Sequence, residues 1–177
     1  DAPGSSDAIE AGAGRAPNIV FIVSDDHGKN GVGAYGASQV RTPNIDRLAR
    51  AGMRFDNHYV MPVCMPTRVA VHTGRWGFRT GQPGNMSGGW RYPRHGLVSG
   101  GRVLAPWEVT VPELLRPSGY ATALIGKYHL GFTGPDDPKT RGGWDHYYGN
   151  PSGTLLTYQN PALIGDGREL GDVPGNA

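Results

Sequence analysis

The only cysteine of the chain, Cys64, opens the run Cys64-Met65-Pro66-Thr67-Arg68, and Thr73-Gly74-Arg75 follows after a short apolar stretch. A lone cysteine is most often a small buried hydrophobe. The neighbours of Cys64 give it another setting. Pro66 suits the first turn of a helix, Thr67 to Thr73 can continue it, and Gly74 suits the position just past its end. The sulfur then stands near a helix N-terminus, where unsatisfied N–H groups and the positive end of the helix dipole collect. Arg68 adds a fixed cation one turn in, so the spot favours an anion.

Two other groups of residues could share this chemistry. Asp25 and Asp26 are hard oxygen ligands, suited to Ca²⁺ or Mg²⁺ rather than to a thiophilic metal, although adjacent aspartates also serve as turn or cap residues. Lys127 and His129 stand in Gly126-Lys127-Tyr128-His129-Leu130-Gly131, where they offer a point cation and a proton carrier. Most lysines are solvated and most histidines are simply hydrogen-bonded, so position decides between the readings.

The elements that must position them follow from pattern. Asn18 to Val23 is a continuous apolar, β-branched and aromatic run, expected as a strand buried on both faces of a parallel sheet, with Asp25 and Asp26 just past its carboxyl end. Thr42 and Pro43 open a helix closed by Gly52, and Met53 to Tyr59 alternate as a half-buried strand leading into the Cys64 turn. The stretch from Trp76 to Trp107 has no period and is expected as a long surface excursion. Its Trp76, Trp90, Tyr92 and Trp107, with Arg79, Arg91, Arg94 and Arg102, either anchor the loop to the domain or stack on a sugar or aryl group and attract its anionic substituents. Thr110 to Glu113 has capping-box spacing, Tyr120 to Ile125 reads as the next strand, and Gly165-Asp166-Gly167 as a hairpin turn.

Composition bounds the rest. With 29 glycines and 15 prolines among 177 residues, about a quarter of the chain, long loops are expected. A formal net charge of +2 is too small to indicate binding to nucleic acid or to a membrane surface by bulk electrostatics. No apolar stretch approaches the roughly 20 residues needed to span a bilayer. Residues 1–16, rich in Ala, Gly and Ser, read as a flexible leader left after processing, which makes a periplasmic or secreted location the expectation; residues 17–177 then form one folded portion.

Cys-x-Pro-x-Arg with a downstream Thr-Gly-Arg resembles the signature of the type I, formylglycine-dependent sulfatases, with Thr67 where the family usually has serine. Gly-Lys-x-His-x-Gly at Gly126 resembles the second signature of that family. Asp25-Asp26 after an apolar strand, Thr42-Pro43-Asn44-Ile45-Asp46-Arg47-Leu48-Ala49, and Gly143-Trp144-Asp145 to Gly149 are similar to further family landmarks, in the family's order. The resemblance covers Pro17 to Gly149 and implies an α/β fold, an alkaline-phosphatase-like sandwich with a mostly parallel central sheet, present here in its N-terminal part.

It also implies a chemistry. Cys64 is the precursor of formylglycine, made by a formylglycine-generating enzyme, and Asp25, Asp26 and the modified Cys64 hold a divalent metal, Ca²⁺ or Mg²⁺. The hydrated aldehyde supplies an attacking hydroxyl, Arg68 holds it, Lys127 binds a sulfate oxygen, and His129 takes the proton whose removal expels sulfate. The implied substrate is a sulfated small molecule or glycan. Two alternatives stay open on sequence: a phosphonate or phosphate ester hydrolase of the same superfamily, and a non-catalytic sulfated-ligand-binding fragment.

Overall fold

The computed structural model describes residues 16–82, 84, 91–92, 96–97, 104–105, 107–130, 138–151, 153, 162–166 and 168–172. The expected leader therefore lies outside the described residues except for its last position, as do Trp90, Arg94 and Arg102. The chain divides into two compact units, Asp1–Phe55 and Asp56–Ala177.

In the first unit, helix α1 spans Pro43–Ala51, entered through Thr42 and closed at Gly52 as expected. Proline costs nothing at the first helical position, because its missing N–H would have had no partner within the helix. The start of α1 is clamped to two 3₁₀ turns, Lys29–Gly31 and Gly33–Tyr35. The Gly33 N–H donates to Thr42 Oγ1 at 2.8 Å, and Asp46 Oδ1 accepts from the Ala34 N–H at 2.7 Å and from the Thr42 hydroxyl at 2.9 Å. A Cβ on Gly33 would stand 2.5 Å from Asp46 Oδ2, so only glycine lets the turn approach this carboxylate. The Tyr35 hydroxyl donates to the Phe55 carbonyl at 2.7 Å and ties the end of the unit back.

The expected buried strand Asn18 to Val23 is not found. The run carries no strand pairing, and Val20 and Ile22 are 82% and 80% exposed. A strand buried on both faces needs hydrogen-bonded neighbours and covering layers, and the described residues supply no strand partner to this run. Met53 to Tyr59 likewise forms no strand, and its apolar members Met53, Phe55 and Tyr59 are exposed.

The second unit holds α2 (Cys64–Thr73), α3 (Gly77–Thr80) and α4 (Val111–Leu115). Its strands are β1 (Arg91–Tyr92), β2 (Gly96–Leu97), β3 (Ala123–Ile125), β4 (His146–Gly149), β5 (Ala162–Gly165) and β6 (Arg168–Asp172). The expected excursion after Trp76 thus contains a helical turn and an antiparallel hairpin, β1 with β2. The main sheet runs β3-β4-β5-β6, with β3 parallel to β4 and the other two pairs antiparallel. Among the described residues it is mixed rather than mostly parallel. The turn at Asp166 joins β5 to β6 and accounts for that antiparallel pair, because a short turn can connect only antiparallel strands.

The core forms where α2 meets the sheet. Met65 and Val69 of α2 pack with Leu104, Tyr128, Leu130 and Tyr147, and Leu124 and Ile164 lie against this cluster. Two polar clips hold its rim. Thr110 completes the expected capping box of α4, its N–H donating to Glu113 Oε2 at 2.8 Å, while its buried hydroxyl lies 2.9 Å from the Gly142 carbonyl oxygen. Asp145 Oδ2 accepts from the Thr122 N–H at 2.8 Å and its hydroxyl at 2.9 Å, and Arg116 bonds Asp145 Oδ1. These bonds hold the Asp145 carboxyl below its usual range, the Thr122 N–H contributing most.

Candidate functional site

Cys64 is the first residue of α2, half-buried, and the preceding Val63 supplies no side-chain cap to the helix N–H groups. The chain's entry into the helix is fastened by Thr67, whose hydroxyl lies 3.0 Å from the Met61 carbonyl oxygen and 2.9 Å from that of Val63. The residue that departs from the usual serine thus keeps the hydroxyl that holds the approach to Cys64. At the other end Gly74, with φ of 66°, makes the left-handed turn that glycine adopts without a Cβ clash, and its N–H closes on Ala70.

Cys64, Arg68 and His72 follow one another at intervals of four, so they share one side of α2. Arg68 Nη1 donates to the carbonyl oxygen of Lys127. This bond joins the cysteine motif to the Lys127–His129 motif, 59 residues apart in sequence. One turn further, His72 Nδ1 donates to the Arg68 carbonyl at 2.8 Å, and its ring meets Tyr128 and Trp144 edge-on at centroid distances of 5.6 and 5.8 Å. A ring that donates from Nδ1 and stays neutral leaves Nε2 as a bare acceptor, and Nε2 is buried with no hydrogen-bond partner among the described residues. Burial lowers the His72 pKa to about 4, so the imidazole is neutral at physiological pH.

Lys127 and His129 are placed by a continuation of the β3–β4 ladder beyond its regular strands. The N–H groups of Gly126, Tyr128 and His129 donate to the carbonyls of Tyr148, Asn150 and Pro151 at 2.8, 3.1 and 3.0 Å. Gly149 permits this approach, since a Cβ there would stand 2.0 Å from the Gly126 oxygen. His129 sits at φ of 60°, a left-handed conformation sparsely populated by residues other than glycine, and Lys127 and His129 are both half-buried. The Tyr147 hydroxyl donates to the Gly126 carbonyl at 3.2 Å, and burial raises its pKa.

Asp25 and Asp26 belong to the first unit, both exposed, with Asp26 at φ of 53°. Among the described residues no three His, Cys, Asp or Glu side chains gather as a metal site. The donor chemistry of the pair fits Ca²⁺ or Mg²⁺, which take oxygen ligands, and two carboxylates are part of the six or so that such an ion requires.

A family model described as Sulfatase matches residues 17–166. The chain belongs to the sulfatase family. Mouse steryl-sulfatase is 40% identical over 169 residues, covering 85% of this chain and 25% of its own length. Pig N-acetylgalactosamine-6-sulfatase is 37% identical, covering 85% of this chain and 28% of its own. Among solved structures, Ps i-CgsB in complex with k-i-k-neocarrahexaose superposes with a TM-score of 0.77 at 29% identity, over 91% of this chain and 38% of that one. This sulfatase chain therefore spans about a quarter of the length of the curated relatives it matches. It shares the alkaline-phosphatase-like α/β fold of its structural neighbours.

Sequence reasoning missed three parts of the scaffold around the candidate site. His72 carried a legible signal, its spacing of four from Arg68. The carbonyls of Asn150 and Pro151 carried none, because backbone acceptors are the same for every residue type. Arg75 of the Thr-Gly-Arg motif donates from Nη1 to both oxygens of buried Glu108 at 2.7 Å, a partner 33 residues away that no local pattern marks.

Proposed function

We propose that this chain carries the nucleophile-bearing part of a sulfuric ester hydrolase, with Cys64 converted to formylglycine by a formylglycine-generating enzyme. The observation that carries the reading is the Arg68–Lys127 bond: it sets the motif containing Cys64 beside the motif containing Lys127 and His129. The substrate class is a sulfated small molecule or glycan, which agrees with relatives that are steryl- and aminosugar sulfatases and with a neighbour solved with k-i-k-neocarrahexaose.

In this reading Asp25 and Asp26 supply oxygen ligands to Ca²⁺ or Mg²⁺. When both groups are in place, the hydrated aldehyde supplies the attacking oxygen and the metal supplies Lewis acidity. The chain's own residues do the rest. The helix N-terminus at Cys64 and the Arg68 guanidinium set a positive field where negative charge gathers, and Arg68 is held in place by its bond to the Lys127 carbonyl. The Lys127 ammonium binds a sulfate oxygen as charge develops on it. His129 moves a proton at its imidazole, on a backbone clipped to Pro151.

Mass spectrometry of the Cys64 peptide, after co-expression with a formylglycine-generating enzyme, tests the first step. The expected result is conversion of the thiol, with loss of aryl sulfate turnover in Cys64→Ala on the order of 10⁶-fold, the scale seen when a nucleophile is removed. An unmodified thiol, with Cys64→Ala as active as the parent, would refute the reading. Faster turnover of an aryl phosphonate than of the matching aryl sulfate would reassign the substrate class.

A further inference from the structure

The half-buried imidazole of His129 is packed over Gly153. A Cβ built on Gly153 would stand 2.2 Å from His129 Nε2, 2.4 Å from Cε1 and 2.7 Å from Cδ2. These three atoms are the far edge of the ring, and every one lies inside ordinary van der Waals distance, so no side chain at position 153 is compatible with the ring where it stands. Gly77, Gly142 and Gly149 are blocked by backbone, and Gly31 by the ring of His27. Gly153 faces the working edge of the single histidine of the Lys127–His129 motif.

The backbone that carries the ring is itself held. His129 is held at φ of 60°, and its N–H donates to the Pro151 carbonyl at 3.0 Å, two residues before Gly153. One short stretch therefore grips His129 twice, by the main chain at Pro151 and by the bare Cα surface at Gly153.

We infer that Gly153 is a positioning residue for His129: the missing side chain is the slot in which the imidazole is seated, and it determines where Nε2 stands. The functional consequence rests on the hydrolase reading above, in which His129 moves a proton; the placement of the ring does not. A proton carrier displaced by about an ångström loses on the order of 10²-fold in rate, while Lys127, which binds the sulfate oxygen in that reading, is untouched by the change.

The test uses Gly153→Ala and two readouts. In ring-detected ¹H–¹⁵N NMR, the parent protein shows a nuclear Overhauser contact between the His129 ring protons and the Gly153 Hα protons, and Gly153→Ala shifts the His129 ring resonances while those of His72 stay in place. In turnover of an aryl sulfate, Gly153→Ala lowers kcat about 10²-fold with KM unchanged, and the same change made in a His129→Ala background costs nothing further. Unshifted ring resonances overturn the inference, as does an equal loss of kcat in both backgrounds. Should Gly153→Ala fail to fold, the contact in the parent protein decides: its presence supports the seat and its absence overturns it. Because the spectrum is read without turnover, a protein that shows the contact yet hydrolyses no sulfate ester counts against the hydrolase reading while supporting the placement of the ring.

Discussion

His72 lets the stability of the α2 packing be read by pH. Its unperturbed pKa of 6.5 falls to about 4 in the fold, chiefly because burial against Tyr128 and Trp144 disfavours the charged ring, with Arg68 adding repulsion. The folded state therefore binds a proton less readily than the unfolded state. Stability is fully present above pH 6.5 and is lost as pH falls through the window down to about 4. At about 1.4 kcal/mol per pKa unit the whole window represents about 3 kcal/mol, of which about 2 kcal/mol has gone by pH 5. With a urea dependence of about 2 kcal/mol per molar, the denaturation midpoint should drop by about 1 M between pH 7.5 and pH 5. His72→Leu keeps an apolar filling and has nothing to titrate, so most of that drop should vanish. Asp145 and Asp166 do not confuse the measurement. Both are held below the carboxylate range, Asp166 to about 2 by the Tyr147 N–H, His146 and Lys139, so their contributions are present above pH 3.8 and fail only below it. A parent midpoint that stays level from pH 7.5 to 5, or a His72→Leu protein with the parent's slope, would show that the buried neutral ring is not what couples this helix to protons.

Two further substitutions test the clips around the core. Arg75→Ala leaves the Glu108 carboxylate, 1% exposed, without its partner and should cost about 3 kcal/mol in urea denaturation; Glu108→Gln should cost clearly less, because Arg75 is 44% exposed and water can take it back. Equal costs would contradict this asymmetry. Thr110→Ala removes the buried hydroxyl between Glu113 and Gly142 and should cost about 1 to 2 kcal/mol, with Thr110→Ser recovering most of it by thermal denaturation.

What was legible in the chain was local. Helix α1 began at Pro43 and ended before Gly52, α2 ended at Gly74, and the α4 capping box formed at Thr110 and Glu113, because a cap, a first-turn proline and a left-handed glycine act within a few residues of themselves. Strands behaved otherwise. Asn18 to Val23 has the composition of a buried strand, yet a strand exists only through its neighbours, and Ala123 to Ile125 became one by pairing in parallel with His146 to Tyr148.

The same division runs through the site. Residue types and spacing alone put a cysteine at a helix N-terminus with an arginine one turn in, and marked Lys127 and His129 as a separate motif after a strand. Only the folded chain decided that Arg68 reaches the Lys127 carbonyl, that His72 is buried and neutral, and that Gly153 lies under the His129 ring. Helix signals are written within one turn of chain, whereas these contacts join positions between four and 59 residues apart, and the distant ones use backbone carbonyls and an absent side chain, which leave no mark on residue type.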